Sequence, residues 1–510
     1  MSLKIADLLK KIPELKLIQG DPESNINYVW ADSRKLSLGD IFVLPEETID
    51  KQNFYLKMAK EKKVDTVLIS KKDSKLESIK NFSNVLESES SLGETHGRLA
   101  STLAYNPSKK LKLVGITGTN GKTSLTYILY HITKNLGKRV GLIGTVQILV
   151  GDKHIETGYT TPDASSLNLI LKEMVEAEIE YVFMEVSSHG LKLGRVAGLE
   201  LTGAGFTNLT QDHLDFHLSM EDYLESKFKI FTLLEQSSVK NKFGLVAGDV
   251  SYGKEMIQKI TESNLKTPIS VLGVSGEYHV SNSKLGLDGS DFRLHKKEKN
   301  LPFIEVRRIK TNLLGNFNVF NTAFAACIAY ELGFDWDKVI HSLSNIPTVP
   351  GRFQVVPFPD QSRIAVVDYA HTPDALDNIL KSCVEIGPRE LICLFGCGGD
   401  RDKTKRPLMA KIAEQHSDFV IITSDNPRTE DPNSILDEIE AGFSRGFKRY
   451  EKIVDRREAI QRAVSLLDKN GILVVAGKGH ETYQIIGKEK THFVDFEEIE
   501  KAFQNLENSR

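Results

Sequence analysis

The segment LKLVGITGTNGKTS, residues 111–124, runs from an apolar, strand-length stretch through a glycine-spaced turn to a lysine and two hydroxyl residues. A helical pattern continues from Lys122 to about Leu136, so the segment predicts a strand, a turn and a helix in that order. This is the context that a phosphate-binding loop requires. The spacing is unusual, because the common pattern G-x-x-x-x-G-K-[ST] would place a glycine at position 116, where the chain has isoleucine.

The residue types of this turn suit an anion site. Backbone N–H groups at the start of a helix can cradle phosphate groups, a lysine can reach the β and γ phosphates, and a threonine hydroxyl can ligate magnesium. The alternative is a turn that only opens a helix, but G-K-T directly between a strand and a helix is hard to explain in that way. ATP and Mg²⁺ are therefore the expected cofactors. The residues assigned to them here are Gly118, Thr119, Asn120, Gly121, Lys122, Thr123 and Ser124.

The bulk composition describes an ordinary globular chain. Its 510 residues predict about three domains. With 26% charged residues and a formal net charge of -3, it has no basic excess that would indicate nucleic acid as a partner. The first residues lack the apolar core of a signal peptide, and no run approaches the roughly 18 apolar residues of a membrane span. We expect a cytoplasmic monomer that acts on small molecules, with no membrane partner and with its four cysteines reduced.

Strand-length apolar runs alternate with helical patterns, which predicts an α/β fold in three domains. Residues 1–107 predict a small α/β domain, and the stretch YNPSKK places a boundary near Pro107. Residues 108–349 contain LKLVGI, RVGLIGTV, YVFMEV and GAGFTNL, which predict a mostly parallel sheet of phosphate-loop type. The alternation restarts in residues 350–510 with RIAVVDYA, ELICLFG, DFVIITSD and GILVVAG, which predict a Rossmann-like domain.

Two further strand ends of the central segment carry candidate metal ligands. Glu185 ends the apolar run YVFME, so its carboxylate should lie at the edge of the sheet where ligands bind in open α/β folds. Magnesium prefers oxygen ligands, which makes Glu185 a candidate, although a salt bridge would also explain the position. His213 follows the next strand, between acids. A ligand role and a purely structural role are equally good explanations for it.

The motifs GTNGKT, EVSSHGL, NLTQDHLDFH, YLESKFKIF and GNFNVFN occur in the order and at the separations that resemble the ATP-dependent Mur ligases of peptidoglycan synthesis. The resemblance covers nearly the whole chain. It explains the unusual loop, because the family's loop resembles G-x-x-G-T-N-G-K-T, beginning here at Gly115. It implies an enzyme that transfers the γ-phosphoryl group of ATP to a carboxylate. An amine would then attack the acyl phosphate, and ADP and phosphate would be released.

The same resemblance assigns further roles around ATP. Lys227, in EDYLESKFK, matches a lysine that is carbamylated in the family and helps to bind a second magnesium ion. From the residues alone, Lys227 is more simply an exposed partner of a neighbouring acid on its helix. The resemblance also places Asn318 at the adenine, Arg352 at the phosphates and Asp368 at the ribose, although turn and cap roles would explain these residues equally well. It implies that ATP lies between the central and C-terminal domains.

The first two domains carry the residues that the resemblance assigns to a UDP-N-acetylmuramoyl dipeptide. The stretch ADSRKLSLGDIFV resembles the motif that holds the uridine nucleotide, and it implicates Ser33. After Val43 the chain departs from the family pattern, so the resemblance does not assign the residues of this stretch that would bind the uridine end. Thr160, Thr161, Ser187 and Arg195 match residues that hold the dipeptide. The stretch TTPD would also serve as a plain cap for the helix that follows it.

The C-terminal domain carries the residues that the resemblance assigns to the amino acid. The stretch SDNPRTEDP resembles the D-N-P-R motif by which relatives recognise meso-diaminopimelate, whereas a plain turn with a solvated arginine is the alternative. The assigned residues are Arg401, Asp425, Asn426, Pro427, Arg428, Gly477 and Glu481. Addition of L-lysine, a folylpolyglutamate synthetase and a non-catalytic nucleotide-binding switch remain as alternatives. The N-terminal domain with its D-S-R motif argues against the synthetase.

Overall fold

The computed structural model describes residues 2–155, 158–213, 216–297 and 304–508. They form two compact units. The first contains Met1–His279, Lys296–Ile304 and Phe324–Val339, and the second contains Val280–His295, Glu305–Ala323 and Ile340–Arg510. The two boundaries expected between the three domains, after residues 107 and 349, remain predictions.

The first part of the first unit is a small α/β layer. Its sheet has the order β2-β7-β6-β5-β4, in which only β2 is antiparallel to its neighbour, and β1 pairs with β3. The segment DTVLIS, residues 65–70, contains the strand Thr66–Ser70, and the first helix is Ile5–Lys11. The elements are β1 Leu3–Lys4, α1 Ile5–Lys11, β2 Leu15–Gln19, β3 Asn25–Ile26, β4 Val29–Trp30, β5 Ile41–Val43, α2 Ile49–Glu61, β6 Thr66–Ser70, β7 Asn84–Ser88 and α3 Leu92–Leu103, with 3₁₀ turns at Lys71–Lys75, Glu77–Asn81 and Pro107–Lys110.

The rest of the first unit is built on a mostly parallel sheet, as the apolar runs predict. Strands β9, β12, β8, β13, β14 and β15 are parallel in that order, and β10 and β11 extend the β9 edge in antiparallel fashion. The elements are β8 Lys112–Thr117, α4 Lys122–Asn135, β9 Val140–Ile143, β10 Ile148–Val150, β11 Lys153–Ile155, α5 Ala164–Glu176, β12 Tyr181–Glu185, α6 Ser188–Lys192, β13 Gly203–Phe206, α7 Met220–Gln236, β14 Phe243–Ala247, α8 Gly253–Glu262 and β15 Ile269–Leu272.

In the segment that follows, successive parts of the chain belong alternately to the second and the first unit. Its elements are β16 Tyr278–Gly286, β17 Gly289–Lys296, β18 Ile304–Thr311, α9 Asn316–Glu331 and α10 Trp336–Leu343.

The C-terminal part of the second unit is a doubly wound sheet in the order β19-β20-β24-β21-β22-β23, parallel except for β19. Alternate residues of β20 point to opposite faces: Val366 packs in the core with α11 to α13, and Val367 packs with α14 and α15. Burial on both faces explains the continuous apolar runs. The elements are β19 Gln354–Pro357, β20 Ile364–Asp368, α11 Pro373–Ile386, β21 Glu390–Phe395, α12 Lys405–His416, β22 Phe419–Ile422, α13 Pro432–Glu440, β23 Tyr450–Lys452, α14 Arg456–Leu466, β24 Gly471–Ala476, β25 Tyr483–Ile486, β26 Glu489–His492 and α15 Asp495–Asn508.

The cysteine prediction is confirmed, since Cys327, Cys383, Cys393 and Cys397 are all free and buried. Within the described ranges, no helix is long and apolar enough to cross a membrane.

Candidate active site

The predicted phosphate loop leaves β8 and enters α4 through two glycines with positive φ. Gly118 has φ 152° and Gly121, at the cap of α4, has φ 86°. A Cβ atom on Gly118 would lie 1.9 Å from Thr207 Oγ1, so the loop is packed against β13 as tightly as a glycine allows. Helix α4 begins directly after Gly121, and the first N–H groups of a helix have no partner within it, so they can bind an anion, which fits the nucleotide assignment.

The loop is held by residues that follow β13. Asn208 accepts from the N–H of Thr119 through its backbone oxygen and from the N–H of Asn120 through its side chain, both at 2.9 Å. Thr207 Oγ1 donates to Asn120 O at 2.6 Å. Sequence reasoning missed both residues. The sequence feature that could have indicated them is the polar Thr-Asn pair directly after the apolar run of β13, the strand that pairs with β8.

Glu185 lies where the strand pattern predicted, at the end of β12 and almost fully buried. Its Oε2 accepts from Thr123 Oγ1 at 2.9 Å, which brings the two candidate magnesium ligands together. Thr145, which sequence reasoning missed, donates its N–H to Oε1 at 2.8 Å and its hydroxyl to Oε2 at 3.0 Å. Thr123 and Thr145, which donate to the Glu185 side chain, carry no charge. These oxygen donors fit Mg²⁺.

Lys227 is buried, so its interpretation as an exposed helix partner is wrong. Its side chain faces the phosphate loop, where Nζ donates to Gly118 O at 2.7 Å. Lys122 Nζ donates to the same oxygen at 2.8 Å. Burial lowers the pKa of Lys227 well below its usual value, and the charge of Lys122 lowers it further. The local sequence did not predict this burial. The acidic residues near Lys227 in the sequence are typical of an exposed helix face, although Lys227 itself lies on the face of α7 that packs inward.

His213 lies in an exposed turn after β13. It has φ 54°, its side chain is about half exposed, and its ring lies 4.9 Å from that of His189. In the part of the chain that the structure describes, no three His, Cys, Asp or Glu side chains form a metal cluster. The metal role of His213 therefore remains a prediction.

The candidate dipeptide residues are joined to Glu185 by hydrogen bonds. Thr161 Oγ1 donates to Glu185 O and accepts the Ser187 N–H, while Arg195 donates to Thr161 O at 2.9 Å. Thr160 Oγ1 lies 3.0 Å from Thr145 Oγ1, within hydrogen-bond distance. The cap interpretation of TTPD is also confirmed, because Asp163 accepts the Ser166 N–H at the start of α5. Cap and binding roles are therefore compatible.

Ser33, assigned to the uridine end, is buried, and its hydroxyl lies 3.7 Å from Met58 Sδ. The structure does not bring Ser33 to Thr160 or Arg195 through any hydrogen bond among the described residues. Its role in substrate binding remains a prediction.

The second unit contains the three residues assigned to the rest of the nucleotide. Asn318 donates to Leu314 O at 2.9 Å within the first turn of α9. Arg352 lies over the Tyr369 ring, and its buried Nε has no hydrogen-bond partner among the described residues. Asp368, at the end of β20, accepts the N–H groups of Phe353 and Ala370. Burial raises the pKa of its carboxyl. Asn318 and Asp368 thus make local hydrogen bonds to the backbone, whereas Arg352 has a donor available for an anion.

The loops assigned to the amino acid leave one edge of the C-terminal sheet, as predicted, because Phe395, Ile422 and Ala476 pair in register where their strands end. Asn426 donates to Glu481 Oε2 at 2.8 Å, and Asp425 lies against Gly477, where a Cβ would be 3.4 Å from Asp425 Oδ2. Pro427 is buried beside them. Burial raises the pKa of Asp425. Sequence reasoning missed Lys478, whose buried amine lies among these carboxylates.

Arg428 is held in a defined orientation. Its backbone has φ 51° and bonds on both sides to the hairpin of β25 and β26, with Arg428 N donating to Ile485 O and Gly487 N donating to Arg428 O. Its Nη1 donates to Gly399 O at 2.8 Å. Arg401, which is exposed, lies on the same Gly398 turn: a Cβ on Gly398 would be 3.0 Å from Arg428 Nη1 and 3.7 Å from Arg401 Cγ. The D-N-P-R stretch is therefore a turn that carries a fixed guanidinium.

The chain matches two family descriptions, the Mur ligase middle domain over residues 116–329 and the Mur ligase glutamate ligase domain over residues 351–479. It is 52% identical to the UDP-N-acetylmuramoyl-L-alanyl-D-glutamate--2,6-diaminopimelate ligase of Leptospira borgpetersenii serovar Hardjo-bovis, with 99% of each chain covered. The chain belongs to the Mur ligase family. It is an ATP-dependent ligase of peptidoglycan precursor synthesis.

Solved structures agree with this family membership. A ligase structure with the same name as the Leptospira relative has a TM-score of 0.71 and 29% identity, covering 99% of this chain and 100% of that one. The folylpolyglutamate synthase of Mycobacterium tuberculosis, complexed with ADP and AMPPCP, has a TM-score of 0.59 and 18% identity, covering 75% of this chain and 92% of that one. Its lower identity supports a shared fold only. The α/β fold class predicted for this Mur ligase is confirmed.

Proposed function

We propose that this Mur ligase adds meso-diaminopimelate to UDP-N-acetylmuramoyl-L-alanyl-D-glutamate, using ATP and Mg²⁺. The observation that carries the proposal is the fixed Arg428 guanidinium beside the Asp425, Asn426 and Glu481 cluster. Diaminopimelate differs from lysine in a second carboxylate at its far end. A guanidinium can bind that carboxylate with two parallel hydrogen bonds, and a carboxylate-rich cluster suits an ammonium group.

The loop residues support the ATP half of the reaction. The N–H groups at the start of α4 and the amine of Lys122 would bind the phosphates, and Thr123 and Glu185 would hold magnesium. The ion would neutralise charge on the transferring phosphoryl group. Lys122 stabilises the same charge from the protein side, because its ammonium already lies against the loop.

Lys227 is proposed to carry a carbamate. Its environment favours the neutral amine, which is the form that reacts with CO₂: an N–C bond forms, and one proton leaves. The product is an anion close to the Gly118 carbonyl, and a carbamate oxygen can ligate a cation whereas an ammonium cannot.

The specificity proposal is tested with a panel of amino-acid acceptors, with phosphate release and product formation measured for each. We expect ligation with diaminopimelate and poor use of lysine by the unmodified enzyme. Losing one partner of a buried charge pair costs on the order of 2–5 kcal/mol, so Arg428→Ala should lower kcat/KM for diaminopimelate by roughly 30-fold to a few thousand-fold. Arg428→Lys should recover only part of the loss, because an ammonium lacks the paired donors.

Arg445→Ala is the matched control, since Arg445 is an exposed arginine of the same domain. Its kinetics should equal those of the unmodified enzyme. Preference for lysine by the unmodified enzyme, or unchanged diaminopimelate kinetics in Arg428→Ala, would contradict the substrate assignment.

A further inference from the structure

Lys478 lies immediately after β24 and Gly477, and its side chain is fully buried. Its amine donates to Glu481 Oε2 at 3.2 Å and to Asn426 Oδ1 at 3.3 Å, and it lies 3.6 Å from Asp425 Oδ1. A single ammonium is therefore shared by two carboxylates and an amide oxygen. All three partners belong to the loops proposed to hold the amino acid.

The cluster carries an excess of negative charge. Asp425 and Glu481 face one lysine, while the neighbouring Arg456 is already engaged by Asp495 through two bonds of 2.7 Å. In the described part of the chain, buried Asp425 Oδ1 also has no hydrogen-bond partner. A buried acceptor without a donor is costly, and an ammonium from a substrate would supply both the missing donor and the missing charge.

The other titratable groups around the cluster do not change its charge near neutral pH. Burial raises the pKa of Tyr369 and Tyr483, and burial lowers the pKa of His480, so all three remain neutral. Guanidinium groups stay charged throughout the working range. The groups that interact electrostatically with Asp425, Glu481 or these neutral side chains include Arg352, Tyr369, Cys397, Arg428, Arg456, Lys478, His480, Tyr483, Lys490 and Asp495.

We propose that Lys478 is a positioning residue whose positive charge offsets the carboxylates around the incoming amino group. This charge favours loss of a proton from the bound ammonium, so that the group reacts as a free amine. The inference rests on the proposed function. The bound ammonium has no lone pair and must first lose one proton to solvent. Its nitrogen then forms the C–N bond, the C–O bond to phosphate breaks with its electron pair on phosphate, and the nitrogen loses a second proton to solvent.

The charge of Lys478 makes the first proton loss easier. Without it, two uncompensated carboxylates would stabilise the ammonium form of the substrate and raise the pH at which the amine is free. Lys478→Met should therefore move the rising limb of the pH profile for kcat to higher pH by about one unit or more, which is about tenfold in rate on that limb. KM for diaminopimelate should stay the same or fall, because the ammonium binds at least as well. Lys478→Arg keeps the charge and should restore most of kcat.

Hydroxylamine separates this role from a purely structural one. It is neutral at neutral pH and traps an acyl phosphate as a hydroxamate, so it needs no help in losing a proton. Lys478→Met should form hydroxamate at close to the unmodified rate while its ligation of diaminopimelate is impaired. Lys469→Met, which removes an exposed lysine of the same domain, should leave both rates and the pH profile unchanged.

The outcomes are distinguishable. If Lys478→Met loses hydroxamate formation together with ligation, the inference is overturned, because the lysine then has a structural role and does not act on the substrate amino group. It is also overturned if Lys478→Arg is no more active than Lys478→Met. An unchanged pH profile in Lys478→Met also overturns it while leaving the proposed function intact. Failure of the unmodified enzyme to ligate diaminopimelate overturns the proposed function and this inference with it.

Discussion

Lys227 shows how a single side chain changes its chemistry when it is buried. In water its amine would be charged, but here it lies beside the charged Lys122 and out of solvent, and both effects lower its pKa. The surrounding acids of α7 point elsewhere, which is why the local sequence predicted an exposed partner.

We expect Lys227→Ala to abolish ligation, because the proposed carbamate supplies a negative charge that alanine cannot. Added short carboxylates, such as acetate or formate, should restore part of the activity by occupying the vacated space. Steady-state phosphate release with and without the carboxylate measures this. The neighbouring Lys229→Ala, whose side chain is 41% exposed, serves as the control and should be active without rescue. Full activity of Lys227→Ala would rule out the carbamate.

The conformation of the phosphate loop is set by several elements and not by one residue. The loop begins at the end of strand β8 and ends where α4 begins, and Asn208, after β13, holds it by a hydrogen bond. Glu185 reaches the same edge because β12 pairs with β8, with Glu185 opposite Ile116.

Gly118→Ala should therefore remove ATP binding. The new Cβ would lie 1.9 Å from Thr207 Oγ1 at φ 152°, so the loop must shift away from β13. Isothermal titration with ATP analogues measures the loss. Gly137→Ala is the control, since Gly137 also has a positive φ, 72°, but no atom within 4 Å of its Cβ position. Retained affinity in Gly118→Ala would show that the close packing is not needed for binding.

The N-terminal and central parts of the first unit are joined by a buried polar network. Ser165, near the start of α5, donates to Val29 O at 2.7 Å and lies 2.7 Å from His96 Nε2, while Tyr28 donates to Ser165 O at 2.8 Å. Since the Ser165 hydroxyl proton is used toward Val29, His96 must donate through Nε2. Burial lowers the pKa of His96 to about 4.

This network predicts a pH dependence of stability. The unfolded chain takes up a proton on His96 as the pH falls below about 6.5, whereas the folded protein resists protonation down to about 4. Stability from neutral His96 is therefore fully present above about pH 6.5 and is lost as the pH falls toward 4. His96→Gln keeps a donor for Ser165 but does not titrate. Its melting temperature should fall less than that of the unmodified protein between about pH 7 and pH 5, and an equal fall in both would contradict the assignment.

The sequence alone determined the features that depend on local pattern. Continuous apolar runs of strand length predicted the parallel strands, because both faces of each sheet are covered, and the G-T-N-G-K-T turn located the loop at a strand end. The family motifs then assigned Glu185, Arg428 and their neighbours. Only the tertiary structure decided the features that depend on which elements pack together: the burial of Lys227, the support of Glu185 by Thr145, and the presence of Lys478 among the amino-acid residues. These contacts join residues tens of positions apart, and their energies come from desolvation and pairing, which no local pattern encodes.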